Sequence, residues 1–360
     1  MKKQTAVSLF AGIGAFDLAL ENNGVDVVAS AEIDKYARAV LTEKFPNTKL
    51  LGDVMEVTGD ELISAGFVPD GGIITGGFPC QDLSVAGKRL GFTGWRSSLF
   101  YHIARIADET KTQWLILENV PGLLNSQRGA DMGAVVGTLV ELGYCVSWRV
   151  LDAQNFGVPQ RRRRVFIVAE RSGDPTGATE VLFKPSSLRG NIAPSKKTGE
   201  DPAGEAPQGP GNPIAYSRAG YGEYTEGVMP LMATMHKRPD AYIIVDEANT
   251  VYDISNRTDA VRIYQDKAMT LPARMGTGDN NVPVKLQMAD TDVIRKLTPE
   301  ECEALMGFPR GWTDNGQSNL NRYKQLGNSI VVPVADWIVK GIVERNARGA
   351  DPVSSSVISS

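Results

Sequence analysis

The feature that most constrains this chain is an alternation, over roughly its first 170 residues, of short apolar runs with amphipathic helical segments. Runs rich in β-branched and aliphatic residues fall at 5–9, 25–31, 72–75, 114–117, 145–151 and 165–169. Between them, 34–45 carries Tyr36, Ala37, Val40 and Leu41, and 97–107 carries Leu99, Phe100, Ile103 and Ile106. That spacing places apolar side chains on one helical face. Strand and helix repeated in this way predict βαβ units, a parallel sheet, and helices on both of its faces.

The pattern breaks at 173–211, where Gly, Pro, Ser and Lys dominate and helical periodicity disappears, as at a domain boundary. Short runs of Tyr, Thr, Val, Gly and Pro follow over 213–284 and predict a small, irregular β-rich domain. Thr298-Pro299-Glu300-Glu301 is a capping box with proline at the first helical position, so helix resumes there. Residues 330–343 are strongly apolar and need a sheet to cover, which returns them to the first domain. The expected division is a discontinuous first domain, 1–172 with 291–345, a second domain at 173–290, and a Ser-rich, disordered tail at 346–360.

With 42% hydrophobic and 22% charged residues, the chain has the composition of a globular protein rather than a disordered or fibrous one. It has no run of about 20 apolar residues and no apolar stretch ending in a cleavage site, so a cytoplasmic protein without a membrane partner is expected. Its three cysteines lie far apart and with two histidines suggest neither a disulfide framework nor a metal site. A net charge of −4 argues against a non-specific nucleic-acid coat, though a local basic patch still binds phosphate.

Several motifs sit where such a sheet places its ligand crevice, beyond the carboxyl ends of the strands. Phe10-Ala11-Gly12-Ile13-Gly14 follows the first strand and opens a helix, the arrangement that lets backbone approach a ligand. Asp17 stands where a dinucleotide fingerprint has its third glycine, which disfavours a pyrophosphate but leaves room for an adenosyl ligand. Glu32 ends the second strand, about 20 residues later, where ribose hydroxyls find an acceptor. Gly77-Phe78-Pro79-Cys80-Gln81 puts a thiol beyond another strand, at the start of a Gly- and Ser-containing loop with Lys88 and Arg89 that is unlike a core. Glu118-Asn119-Val120-Pro121-Gly122 brings a carboxylate to the same edge. A carboxyl kept protonated by an apolar pocket and its hydrogen bonds can act as a general acid beside a thiolate. In the run Gln160 to Arg164, alternation along an extended chain puts Arg162 and Arg164 on one face, suited to a phosphodiester or a base carbonyl.

In order, Phe10 to Gly14, Glu32, Gly52-Asp53-Val54, Pro79-Cys80-Gln81, Glu118-Asn119-Val120, Gln160-x-Arg162-x-Arg164, Arg295 to Glu300 and Gly327-Asn328-Ser329 closely resemble the successive motifs of the DNA (cytosine-5)-methyltransferases. The resemblance implies a Rossmann-like S-adenosylmethionine-dependent sheet with a target-recognition domain at 173–290. It implies that Cys80 adds to C6 of a flipped-out cytosine while Glu118 donates to N3, that Arg162 and Arg164 hold the base or its phosphate, and that Asn119 places Glu118 and the loop. For the cofactor it implies Phe10, Gly12, Gly14, Glu32, Ile33, Asp53, Val54, Pro79, Leu99, Asn328 and Ser329, with S-adenosylhomocysteine as product and no metal. Candidate DNA contacts are Gln81, Ser84, Lys88, Arg89, Gln160, Arg218, Arg257 and Arg274. The expected partner is double-stranded DNA, bound by a monomeric, nucleoid-associated modification enzyme of a prokaryote or phage, with room for a cognate restriction endonuclease.

Among rival readings, a dinucleotide oxidoreductase leaves Cys80, Glu118 and the arginine run without a role. A zinc deaminase lacks its His-x-Glu and Cys-x-x-Cys ligands. An RNA cytosine methyltransferase uses the same catalytic residues, but the long middle segment favours duplex readout. A non-catalytic DNA-binding relative has no need of Cys80, Glu118 and Arg164 together.

Overall fold

The computed structural model describes residues 3–79, 99–174, 176–184 and 297–348 in full, and the backbone alone of six strands between 216 and 296 and of Gly349. Seven strands form one sheet: β1 (Thr5–Leu9), β2 (Asp26–Ala31), β3 (Lys49–Leu51), β4 (Ile73–Gly77), β5 (Trp114–Asn119), β6 (Cys145–Asp152) and β7 (Arg163–Glu170). Their spatial order is β3-β2-β1-β4-β5-β7-β6. The helices are α1 (Ala15–Asn22), α2 (Lys35–Lys44), α3 (Gly59–Ser64), α4 (Leu99–Thr110), α5 (Ala130–Glu141), α6 (Gly177–Leu182), α7 (Pro299–Met306), α8 (Asn319–Asn328) and α9 (Val332–Gly349).

Strand alternation builds two buried layers. Val7, Leu9, Ala29, Ile74, Leu115, Leu117, Val165 and Ile167 join Leu62, Phe100, Ile103, Val135 and Leu139 in one core under α3, α4 and α5. Residues of the opposite parity face α1 and α9, where Trp114 Nε1 donates to Asn346 Oδ1 at 3.0 Å and Asn23 Nδ2 to Asp336 Oδ1 at 2.9 Å. The α/β architecture expected from the sequence is the observed one, with one correction. β7 runs antiparallel to both β5 and β6. The ten residues Ala153–Arg162 that join β6 to β7 contain only a short 3-10 turn and cannot make the crossover a parallel pair requires.

That reversal decides where the site lies. In the register of β5 and β7, Asn119 faces Val165 and Glu118 faces Phe166, so the start of β7 meets the carboxyl end of β5. Side chains emerging early in β7 therefore reach the edge at which the parallel strands end.

Backbone contacts divide the chain into two units. The first comprises Met1–Asp152, Arg163–Ala193 and Ile330–Ser360, and so contains the whole seven-stranded sheet and α9. The second comprises Ala153–Arg162 and Pro194–Ser329. It holds an antiparallel sheet ordered β11-β10-β12-β13, a hairpin β8-β9, and helices α7 and α8. Its strands are β8 (Tyr216–Ala219), β9 (Glu223–Glu226), β10 (Thr250–Asp253), β11 (Arg262–Gln265), β12 (Val284–Gln287) and β13 (Val293–Lys296). The cuts differ from the expected ones: 153–162 and 291–329 group with the second unit and 173–193 with the first, and α9 runs to Gly349, beyond the expected end at 345. Arg345 fastens that helix by pairing with Glu170, Asp174 and Glu180. Thr298 and Glu301 make the reciprocal capping box read from the sequence.

One polar rung crosses the apolar sheet. Ser8 lies in register with Ser30 on β2 and Thr75 on β4, all three buried, and Asp17 from α1 accepts from Ser30. Burial raises the Asp17 carboxyl to about 6, against its hydrogen bonds to Ser30 and Ser8 and with Glu21 adding repulsion. Folded Asp17 thus keeps a proton that the unfolded chain has lost between about pH 4 and 6, and its contribution to stability falls as pH rises through that window. Asp17→Asn is expected to be more stable than the parent at pH 7.5 by about 1–3 kcal/mol, and so to melt higher, with the gap narrowing toward pH 5. A melting series over that range checks this; no gain at pH 7.5 contradicts it.

Candidate active site

The site is built on loops that leave β1, β2, β3, β4 and β5 and on the start of β7. After β1 the backbone turns sharply, with Phe10 at φ 56°, Gly12 at 58° and Gly14 at 83°. Gly14 caps α1, and a Cβ there lies 2.4 Å from the Phe45 ring, so both conformation and space demand glycine. The Gly12 N–H donates to Glu32 Oε2 at 2.8 Å, fixing the turn to the end of β2. Glu32 Oε1 accepts from the N–H groups of Ile33 and Asp34 at 2.9 and 2.8 Å. The carboxylate is thus already held by backbone donors, while its oxygens retain lone pairs for a ligand hydroxyl. Ile33 beside it is 71% exposed, an apolar side chain left bare at a polar loop.

Beyond β3, Asp53 accepts from the Met55 N–H at 2.9 Å and Val54 is buried. Arg105 of α4 donates to the carbonyls of Val57 (2.7 Å) and Val54 (3.4 Å), supporting this loop from below. His102 lies on the same helix one turn after the half-buried Leu99, and its buried Nδ1 has no hydrogen-bond partner among the described residues. Burial and Arg105 pull the imidazole below its ordinary range, with Asp53 opposing. These supporting residues carry no sequence motif; only their helical spacing, i to i+3, hinted at them.

At the ends of β4 and β5, Gly77 and Glu118 are in register, and the missing side chain of Gly77 leaves room for Glu118 Oε2. Asn119 is buried; its Nδ2 donates to the Phe78 carbonyl at 2.8 Å and its Oδ1 accepts from the Val120 N–H at 2.8 Å. It therefore ties the strand bearing Glu118 to the chain leading through the exposed Pro79 toward Cys80. Arg164 Nε pairs with Glu118 Oε1 at 2.9 Å, with both side chains largely buried. Burial lowers the Arg164 guanidinium while Glu118 raises it. The surroundings expected for Glu118, an apolar pocket, are thus replaced by an ion pair.

The arginines expected on one face have separate partners. Arg162, buried, donates to the carbonyls of Gly327 (3.2 Å) and Ser329 (2.5 Å). Gln160, a candidate DNA contact, is fully buried and donates to Leu305 O at 3.0 Å and to Met306 Sδ at 3.3 Å. These bonds fasten the β6–β7 connection within the second unit. There Asn328 is exposed and Ser329 is buried at the end of α8. Cys80, Gln81, Ser84, Lys88, Arg89, Arg257 and Arg274 lie outside the described residues, and Arg218 is placed only as backbone in β8. Among the described residues no cluster of His, Cys, Asp and Glu could hold a metal, and no single helix is long and apolar enough to cross a membrane.

The sheet order, the glycine turn after β1 and the carboxylate ending β2 define a Rossmann-like α/β protein, and the solved structures it resembles are methyltransferases. The Dnmt2 methyltransferase of S. pombe matches with a TM-score of 0.64 at 16% identity, covering 95% of this chain and 98% of that one. A Spodoptera frugiperda DNMT2 mutant matches with a TM-score of 0.61 at 19% identity, covering 94% and 99%. In sequence, the Type II methyltransferase M.MspI of Moraxella sp is 31% identical over 93% of this chain and 69% of its own. M.HhaI of Haemophilus parahaemolyticus is 30% identical over 93% of each. Residues 4–344 match the family model of the C-5 cytosine-specific DNA methylases, and the chain belongs to that family. It is a cytosine methyltransferase, and the methyl donor of such enzymes is S-adenosylmethionine.

Proposed function

We propose that this enzyme methylates C5 of cytosine within one short sequence of double-stranded DNA, through a covalent bond between Cys80 and C6 of a flipped-out base. The observation that carries the reading is the Asn119 to Phe78 bond, which couples the strand bearing Glu118 to the chain entering Cys80.

The residues present suit an adenosyl cofactor. Glu32 offers carboxylate oxygens at the end of β2, the bare Ile33 offers an apolar face, and the turn through Gly12 and Gly14 brings backbone close with no side chain in the way. In the proposed site Phe10, Pro79 and Leu99 complete the near wall, Asp53 with Val54 takes the adenine edge, and Asn328 and Ser329 also contribute. When bound, S-adenosylmethionine supplies an electrophilic methyl carbon.

C5 of cytosine is too weak a nucleophile to accept that methyl unaided. Thiolate addition from Cys80 to C6, with a proton taken up from solvent by Glu118 and passed to N3, leaves an enamine whose C5 is electron-rich. After the new C–C bond forms, loss of the C5 proton to water restores the double bond and expels the thiolate, and N3 returns its proton to Glu118. Arg164 holds Glu118 in place and is near enough to share its charge with the base or its phosphate. Arg162 acts one step further back, by holding the end of α8. The base must leave the stack to reach these groups, at a cost of a few kcal/mol. The exchangeable contacts to DNA fall to the loop bearing Gln81, Ser84, Lys88 and Arg89 and to Arg218, Arg257 and Arg274 in the target-recognition domain. A cytoplasmic modification enzyme, acting as a monomer with or without a cognate endonuclease, fits this reading.

Transfer of labelled methyl from S-adenosylmethionine to plasmid DNA, single-stranded DNA and RNA, followed by bisulfite sequencing, tests it. Label at C5 in one short duplex motif is the expected result. Label in RNA alone reassigns the substrate, and no label anywhere leaves a DNA-binding relative.

A further inference from the structure

We infer that Arg38 is the positioning residue for the cofactor site, a single guanidinium that sets the spacing between the loop carrying Glu32 and the loop carrying Asp53. The inference rests on the cofactor reading given above.

The ladder between β2 and β3 ends at Ala31 opposite Leu51, and the next bond, from Glu32 N–H to Leu51 O, is stretched to 3.4 Å. Beyond this point the two chains part, one into α2 and the other into the turn at Asp53. At that fork Arg38, from the first turns of α2, reaches back. Its Nη1 donates to Glu32 O at 2.8 Å and also to Leu51 O. Asp34 caps the same helix through the N–H groups of Tyr36 (2.8 Å) and Ala37 (3.2 Å), which fixes where Arg38 starts. One donor group thus bridges the residue that bears the Glu32 carboxylate and the residue two before Asp53.

A lysine provides a point charge on a flexible stem and cannot reproduce the planar donor geometry. A methionine of similar reach leaves both carbonyls without this donor. Since Arg38 lies behind the cofactor loops and not at the reacting base, its loss acts on cofactor affinity and spares the chemical step.

The measurement is steady-state kinetics with S-adenosylmethionine varied at saturating DNA, together with calorimetric titration of S-adenosylhomocysteine, on the parent, Arg38→Met and Arg38→Lys. Arg38→Met is expected to raise KM for S-adenosylmethionine and Kd for S-adenosylhomocysteine about tenfold, within what the loss of its two charge-assisted bonds can supply, with kcat within about twofold. Arg38→Lys is expected to fall between. A residue needed only for folding lowers the melting temperature and the active fraction, hence kcat, and leaves KM alone; that pattern overturns the inference. If Arg38→Met does not fold, Arg38→Lys decides by the same split, and failure of both to fold also overturns it. A parent that binds neither compound sinks the cofactor reading first and this inference with it.

Discussion

Cys80→Ala is expected to lower the single-turnover rate of methyl transfer by on the order of 10⁴-fold or more, because its thiol is the proposed nucleophile and neither other cysteine can replace it. Cys302 is fully buried in α7, and burial with the neighbouring Glu301 and Glu303 carboxylates pushes its thiol far above the range in which a thiolate forms. Cys145 opens β6 opposite Glu170, at the end of the sheet where β5 begins, remote from the edge where β5 ends. The same variant should bind DNA and S-adenosylhomocysteine as the parent does, since the thiol is proposed to act only on the ring. A second measurement isolates the covalent step: DNA whose target cytosine carries fluorine at C5 cannot lose that substituent as a cation, so the parent should form an adduct that survives denaturation, and Cys80→Ala should form none. Methylation by the variant within tenfold of the parent rate would remove Cys80 from the mechanism.

Glu118→Gln is the second large effect, an expected fall of about 10² to 10⁴ in the same rate. Glutamine keeps the shape and can still hydrogen bond, but it cannot deliver a proton to N3. It also strips a largely buried guanidinium of its charge partner, so a loss of stability of about 1–3 kcal/mol should accompany the loss of rate. The two effects separate experimentally: Arg164→Met should reproduce the change in melting temperature or exceed it, while leaving the carboxyl able to act. A Glu118→Gln enzyme within threefold of the parent rate at saturating DNA and cofactor would assign the carboxyl to structure alone.

The strands and the long amphipathic helices were legible because burial on both faces of a sheet imposes unbroken apolar runs, and β1 was read to its last residue. The reversed β7 was not legible: its sequence, Val165 to Ala169, is as apolar as a parallel strand, and only the shortness of the connection before it told otherwise. Short elements such as β3 and α3 carry too few residues to show a period. At the site, the glycines and carboxylates that end strands were legible in the sequence, whereas Cys80 lies outside the described residues. The residues that hold them were not, because Arg38, Arg105 and Gln160 act through backbone carbonyls, and a carbonyl has no signature in sequence. The pairing of Arg164 with Glu118 depends on strand direction, so it could not be read before the topology was known.

After α6 the chain leaves the first unit beyond Ala193 and comes back to it at Ile330, just before α9. Lys184, the last described residue before that departure, sits 5.0 Å from the Trp337 ring centroid and 3.7 Å from Glu344, both on the returning helix. The last described stretch before that departure and the returning helix are therefore joined by their own contacts. Every strand of the seven-stranded sheet is already paired by Glu170. A polypeptide inserted after that ladder is complete can lengthen, shorten or be exchanged without breaking one bond of it, and longer loops cost little more to close. The part of the molecule expected to choose the DNA sequence is thus free to diverge quickly, while the part expected to do the chemistry stays fixed.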